Sequence, residues 1–349
     1  MVGGTDGGLV IGERPDPVPL PHELVIEVHR CGICKTDLHM TDMEGFMQAP
    51  PGVVLGHEFA GTVVEIGSQV TRFGTGDHIT SLAAIAACGS CPSCVAGDLQ
   101  WCTGADKKFP ATGGYAQYAP VAEHQAVKLP RSVSLADAAL VEPLAVALHG
   151  IRLAHIQADT DVLVLGAGPI GLSAALWAKR AGARKVLIQA TSRRLEALAM
   201  AMGADAFVTM GGDALGEVLH CFGKAPDVVV EAVGAPGVIE QALRTVAPRG
   251  TVVVLGWCGV PDSYTPAIYL MKEVRLQFSM TYNVGDFEHA IRLLDDGAAE
   301  PPTMVTRTIG ISELPAMFAR LRGATEHCKV LVDPWLEVEP GDTASQEFG

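Results

Sequence analysis

Basic residues are scarce in this chain: 25 Lys and Arg stand against 39 Asp and Glu, for a formal charge of −14. That balance repels phosphate backbones and excludes nucleic acid as the main partner. A secretory leader is also missing, since Met1-Val2-Gly3-Gly4 has neither a basic start nor an apolar core, so a cytoplasmic protein is expected. No stretch reads as a membrane span. The longest uncharged apolar run, Val162 to Ala178, is broken near its middle by Gly166, Gly168, Pro169 and Gly171, which suits a buried strand, turn and helix. There are no internal repeats and no low-complexity tracts. The segment 336–349 has no apolar periodicity and reads as a solvated acidic tail.

What is present is a globular composition, 48% hydrophobic and 18% charged over 349 residues, long enough for two domains. From Leu9 to about Lys128 the texture is β-rich, with short strands at Leu24–Val28 and Gly61–Ile66, as in an antiparallel barrel-like module. From Ala136 to Ala154 it turns helical, with Leu140, Leu144, Ala147, Leu148 and Ile151 on one face. Beyond Asp161, strands at Val162–Leu165, Lys185–Ile188, Asp227–Val230 and Thr251–Leu255 alternate with helices such as Leu195–Met202. That alternation implies a doubly wound parallel sheet and places the chain in the α/β class. A helix from Asp286 to Gly297, starting at an aspartate cap, and a last strand Lys329–Val332 are expected to return to the first domain. The boundaries drawn are 1–150 for the β-rich domain with a lobe at about 86–104, 151–284 for the parallel-sheet domain, and 285–335 for the return.

Nine cysteines in such a chain point to metal ligands in a reducing compartment. Cys88, Cys91, Cys94 and Cys102 are spaced C-x2-C-x2-C-x7-C among turn-forming Gly89, Pro92 and Gly97. Four thiolates so placed close a tetrahedral shell around zinc and leave no open position, so this site is expected to be structural. A zinc that acts on substrate needs three ligands and one open position. Cys34 and His57 are the first two. Glu142, in Val141-Glu142-Pro143-Leu144 at a helix start, is taken as the third, with Glu58 as its competitor. Cys31 is read as strand packing. His29, His124, His149, His155, His289 and His327 are read as structural or surface residues.

Gly166, Gly168 and Gly171, with Pro169 and Ile170 between them, match G-x-G-x-x-G between an apolar strand and the helix Leu172–Arg180, the setting for a pyrophosphate on a helix N-terminus. Where an acid at the end of the next strand would bind the ribose 2′-hydroxyl, this chain has Gln189, followed by Thr191, Ser192, Arg193 and Arg194. A neutral residue with two guanidiniums nearby tips the expectation slightly toward NADP(H) over NAD(H), while Gln189 bonding the ribose of NAD remains the other reading. Val233 and Gly256, just past the later strands, are added as candidate cofactor contacts.

Gly32-Ile33-Cys34, Thr36-Asp37, Gly56-His57-Glu58-Phe59-Ala60-Gly61 and the four cysteines together resemble the zinc-dependent medium-chain alcohol dehydrogenases over nearly the whole chain. The resemblance implies a GroES-like catalytic domain with a Rossmann domain inserted in it. Glu142-Pro143-Leu144, where the ordinary-alcohol branch has a second cysteine, looks like the polyol, butanediol and threonine dehydrogenase branch. Secondary alcohols, diols or polyols, or their ketones, are then the expected substrates, with one catalytic and one structural zinc per subunit in a homodimer or homotetramer. Arg194 matches a position that serves NAD-dependent members, which leaves Arg193 and the missing acid to speak for NADP. Thr36 is expected to take the hydroxyl proton and pass it through a cofactor ribose hydroxyl to His39, a side-chain type suited to proton shuttling near neutrality. Trp257, Tyr264, Tyr282 and Phe46 are candidates to line the substrate pocket. Two rival readings are a zinc-dependent hydrolase, which leaves the glycine loop unexplained, and a catalytically idle binding protein, against which Cys34, Thr36, His39 and His57 argue together.

Overall fold

The structure is a computed structural model of the chain and describes residues 2–3, 9–42, 48–82, 87–104, 113–323 and 325–337. Phe46, Met1, Gly4 and the tail beyond residue 337 lie outside the described residues. Two compact units are present: one built from 1–89, 106–139 and 305–349, the other from 90–105 and 140–304.

In the first unit a seven-stranded sheet is organised around the long strand Glu23–Gly32. Leu24, Ile26 and Val28 alternate along it and are fully buried, with Phe59, Val63, Ile79 and Val330 packed around them. Period-two burial of this kind contributes roughly 1.5–3 kcal/mol for each large aliphatic side chain, and it fixes the register. Glu58–Ile66 pairs antiparallel with Glu23–Gly32, placing Gly32 opposite Glu58. The sheet is not wholly antiparallel, because Val305–Gly310 pairs parallel with Lys329–Asp333, which in turn joins Glu23–Gly32. These two strands are how the late chain segment completes this unit. The expected return helix behaves otherwise: Val284–Asp295 packs within the second unit against Val141–Leu153. The packing units therefore cut the chain at other points than 150 and 284.

The second unit holds a six-stranded parallel sheet ordered Ala206–Thr209, Lys185–Ala190, Asp161–Leu165, Val228–Glu231, Thr251–Val254, Arg275–Phe278. Numbered along the chain this is 3-2-1-4-5-6, the doubly wound order whose reversal lies beside the first strand. All residues of its three central strands are buried, as expected where helices cover both faces. The helix expected from Ala136 opens as a 3-10 turn at Asp137–Leu140 and becomes α-helical over Val141–Leu153; Leu140, Leu144, Ala147, Leu148 and Ile151 are all buried. The late helix is capped by Asn283 and not by an aspartate. Asn283 Oδ1 accepts from the Asp286 N–H at 2.9 Å while Asp286 accepts from the Asn283 N–H at 3.1 Å, a reciprocal capping box. Among the described residues no helix is long and apolar enough to cross a membrane.

Candidate active site

The strand Glu23–Gly32 delivers the chain to a six-residue helix, Lys35–Met40, with Cys34 as its N-cap. The backbone of Cys34 is extended, its Sγ accepts the Thr36 N–H at 3.4 Å, and Asp37 accepts the Cys34 N–H at 3.2 Å. Because Gly32 lies opposite Glu58, the residues just past one strand meet those just before its neighbour. Donor atoms of Cys34, His57 and Glu58 come within 4.8 Å of one another. Two glycines permit this approach. Gly56 has φ +92°, and a Cβ there would lie 2.8 Å from Cys31 Sγ and from the Tyr115 backbone; a Cβ on Gly32 would lie 2.0 Å from a Glu58 oxygen.

Asp37 organises the cluster. It is fully buried, and its carboxylate sits 3.3 Å from His57 Nδ1 and accepts from Tyr115 Oη at 2.6 Å and from the Gly56 N–H at 3.4 Å. Burial disfavours its ionisation, but the bonds and charge from His57, Tyr115 and Cys34 outweigh burial and hold the carboxyl below its usual range. On His57 burial likewise opposes charge, and Asp37 and the Cys34 sulfur outweigh it, raising the imidazole well above its ordinary value. An imidazole whose Nδ1 is held by a carboxylate presents Nε2 as a ligand, the usual outer-sphere arrangement of a metal histidine. A thiolate, an imidazole and a carboxylate so gathered fit zinc.

Glu58 does more than face the cluster. Both its oxygens accept from Lys329 Nζ, at 2.8 and 2.7 Å, and Lys329 also donates to the Ile33 carbonyl at 3.1 Å; both side chains are buried. Cys31 is fully buried in the strand, and burial first, then the Asp37 and Glu58 carboxylates, push its thiol well up, so it stays protonated and packs as expected. Thr36 and His39 stand one turn apart on the short helix. His39 Nδ1 is 3.6 Å from Asp42, and its Nε2 is buried with no hydrogen-bond partner among the described residues. Glu142 lies buried in the first turn of Val141–Leu153, in the second unit.

The four-cysteine segment folds tightly through Gly89 (φ +75°), the short helix Pro92–Val95 and Gly97 (φ +87°). The sulfurs of Cys88, Cys91, Cys94 and Cys102 lie within 4.8 Å of one another, compatible with the edges of about 3.8 Å of a tetrahedron with 2.3 Å zinc–sulfur bonds. Backbone N–H groups of Cys94 and then Thr103 pull the Cys91 thiol down to about 5. None of the six histidines set aside joins either donor group among the described residues. His149 bonds Asp286 at 2.7 Å, His289 packs on Trp177 at 5.3 Å, and His124 bonds the Ala87 carbonyl at 2.9 Å.

In the second unit the three glycines of the loop have different surroundings. Gly166 has φ +104° and runs against Ala232 and Val233; a Cβ at Gly168, the N-cap of Pro169–Arg180, would meet nothing; a Cβ at Gly171 would lie 2.0 Å from the Gly166 carbonyl. One glycine makes the turn, one leaves room for a ligand, and one lets helix and loop touch. Gln189 is buried and its Oε1 accepts from Gln241 Nε2 at 2.9 Å; both line a cavity of about 320 Å³. Arg193 is paired with Glu196, Nε to Oε2 at 2.6 Å. Gly256 approaches Gly234 and Glu231 too closely for a Cβ, and Glu231 caps the turn by accepting from the Val233 and Gly234 N–H groups at 2.7 and 2.8 Å. Of the aromatic candidates, Tyr282 is core, packed 5.0 Å from Phe287, while Trp257 and Tyr264 are exposed.

Sequence reasoning gave no role to Asp37, Tyr115, Lys329 or Gln241. Asp37 was present in the Thr36-Asp37 motif. Lys329 carried a signal as well, since a lysine opening an otherwise apolar last strand calls for a buried acid.

Residues 20–131 match the alcohol dehydrogenase GroES-like domain, and residues 169–296 match the zinc-binding dehydrogenase family. A sorbitol dehydrogenase of Halalkalibacterium halodurans is 30% identical over 335 residues, 94% of this chain and 96% of that one. A zinc-binding dehydrogenase of Sinorhizobium meliloti 1021, solved bound to NADP, superposes with a TM-score of 0.87 at 33% identity, covering 95% of this chain and 98% of that one. A 2R,3R-butanediol dehydrogenase of Bacillus subtilis superposes with a TM-score of 0.83 at 27% identity over 95% and 98%. The chain belongs to the zinc-dependent medium-chain alcohol and polyol dehydrogenase family. It is a zinc- and NAD(P)-dependent oxidoreductase with a GroES-like domain and a Rossmann domain.

Proposed function

We propose that this enzyme interconverts a secondary alcohol, diol or polyol and the corresponding ketone, with Cys34 and His57 as zinc ligands. The observation that carries this reading is the convergence of Cys34, His57 and Glu58 donor atoms within 4.8 Å, with Asp37 bound to the far side of the imidazole. Sorbitol and 2R,3R-butanediol, the substrates in two relatives' names, both carry neighbouring hydroxyls, which supports a diol or polyol. When bound, zinc stabilises negative charge developing on the substrate oxygen, and the nicotinamide ring exchanges the hydride.

The chain's own groups do the rest. Asp37 holds His57 in the tautomer that leaves Nε2 for the metal. Glu142 serves as third ligand, with Glu58 as its competitor; the Lys329 ion pair weighs against Glu58 at rest, because its oxygens are already engaged. Thr36 and His39 move the hydroxyl proton along the short helix, and His39 Nε2, buried with no hydrogen-bond partner among the described residues, supports that role. Cys88, Cys91, Cys94 and Cys102 hold a second, structural zinc. Gly166, Gly168, Pro169, Ile170 and Gly171 cradle the pyrophosphate, and Gln189, Arg193, Arg194, Val233 and Gly256 flank the nucleotide, with NADP(H) slightly preferred because Gln189 does not repel a 2′-phosphate. A reducing, cytoplasmic setting accords with the nine cysteines of the sequence, and a homodimer or homotetramer is the proposed assembly.

The test is to load the purified protein with zinc, count bound metal, titrate it with NADH and NADPH by nicotinamide fluorescence, and screen polyols and ketones with the tighter cofactor. Two zincs, a bound dinucleotide and turnover of a polyol are expected. Absence of dinucleotide binding would sink the proposal and favour a zinc hydrolase.

A further inference from the structure

Around the Gln189 cavity, charge is closely balanced. Gln189 supplies none, and its Oε1 already accepts from Gln241. On one wall Arg244 pairs with Glu240 at 2.9 Å, and both line the cavity. Just past the strand that carries Gln189, Arg193 is clasped by Glu196 through two bonds, one from Nε at 2.6 Å. Arg193 also lies in the field of Glu217, on the helix Ala214–Phe222 whose Ala214 and Val218 line the same cavity. Arg194, exposed beside it, makes no ion pair among the described residues. The guanidinium best suited to bind a 2′-phosphate in two-pronged fashion is thus already held by a carboxylate.

We infer that Glu196 determines the NADPH-to-NADH preference by competing with the cofactor 2′-phosphate for Arg193. The inference rests on the reading that a nicotinamide dinucleotide occupies the glycine loop. A phosphate must displace Glu196 to gain the guanidinium, whereas a ribose hydroxyl, which carries no charge, gains nothing from that exchange. The enzyme thereby keeps use of NAD(H) although it lacks the acid that would repel NADP(H). The pair is exposed and screened by solvent, so its release changes affinity modestly, by about fivefold at most.

The test is a double-mutant cycle read by fluorescence titration of NADPH and NADH on the zinc-loaded enzyme: wild type, Glu196→Gln, Arg193→Gln and the double variant. Glu196→Gln should tighten NADPH about fivefold and leave NADH within about twofold, and the gain should vanish when Arg193 is Gln. Glu196→Ala should behave alike. Unchanged NADPH affinity overturns the inference, and so does an equal gain in the Arg193→Gln background, which would mark a general field effect. A wild type that binds NADH with no NADPH response in any variant defeats this inference alone. Failure to bind either cofactor defeats the dinucleotide reading with it.

Discussion

Single residues decide the chemistry of the Cys34, His57 and Glu58 donor cluster, and Asp37 decides most of it. Its carboxylate serves His57 Nδ1, Tyr115 Oη and the N–H groups of Cys34 and Gly56 at once, so it sets the imidazole tautomer and the loop on either side. An amide in its place cannot accept all of these. We expect Asp37→Asn to weaken zinc at the Cys34 cluster by about 10- to 100-fold in a chelator competition while the four-cysteine zinc stays bound. Equal loss of both metals would reduce Asp37 to a general packing role. His39→Gln should slow turnover and reshape its pH profile with zinc content intact, and an unchanged profile would remove His39 from proton transfer. The meeting of Cys34 and His57 was legible in the sequence because both side chains sit in short recognisable motifs. Lys329 was not, because 271 residues separate it from Glu58 and only the antiparallel pairing of Lys329–Asp333 with Glu23–Gly32 brings the two together.

At the scale of elements, the helix Val284–Asp295 shows how a local pattern can be read correctly in kind and wrongly in detail. A helix was expected there, but its cap was assigned to an aspartate, because Asn283 and Asp286 share one reciprocal box and both are strong cap formers. The buried Asp286 carboxylate has further partners that no local pattern reveals, His149 Nδ1 at 2.7 Å and Arg152. Burial alone would raise its pKa, but hydrogen bonds from His149 and the Asn283 N–H, then the charges of His149 and Arg152, pull it below the ordinary value. The folded value therefore lies below the unfolded one of about 3.9, so the stabilisation is complete above that pH and is lost as pH falls through the folded value. In urea titrations, Asp286→Asn should cost about 1–3 kcal/mol at neutral pH, and the gap from wild type should close in acid below about pH 4. A gap constant from pH 7 to 3 would show that the carboxylate charge contributes nothing.

For the molecule as a whole, the presence of a parallel sheet followed from strand and helix alternation, whereas the order of its strands and the grouping of chain segments into packing units did not. The four-cysteine lobe illustrates the reason. It follows the β-rich segment in sequence, yet residues 90–105 pack with the second unit, where the Val284 N–H donates to the Gly97 carbonyl at 3.0 Å and Val284 packs on Gly97. The lobe has little apolar core of its own, with Val95 and Trp101 exposed, and the proposed four-cysteine zinc would supply the cross-links that such a core would otherwise provide. Replacing Cys94, a buried cysteine of the proposed zinc shell, should open the lobe and release the start of Val284–Asp295. Hydrogen exchange should then quicken over residues 90–104 and 284–290, and hardly change along Glu23–Gly32 and Glu58–Ile66, with melting lowered by several degrees. Cys34→Ser should do the reverse: it should abolish activity and leave exchange in 90–104 untouched, because Cys34 belongs to the other unit. Uniform acceleration across both sheets in the Cys94 variant would mean that the two units unfold as one, and the lobe would then count as a support for the whole chain and not for its second unit alone.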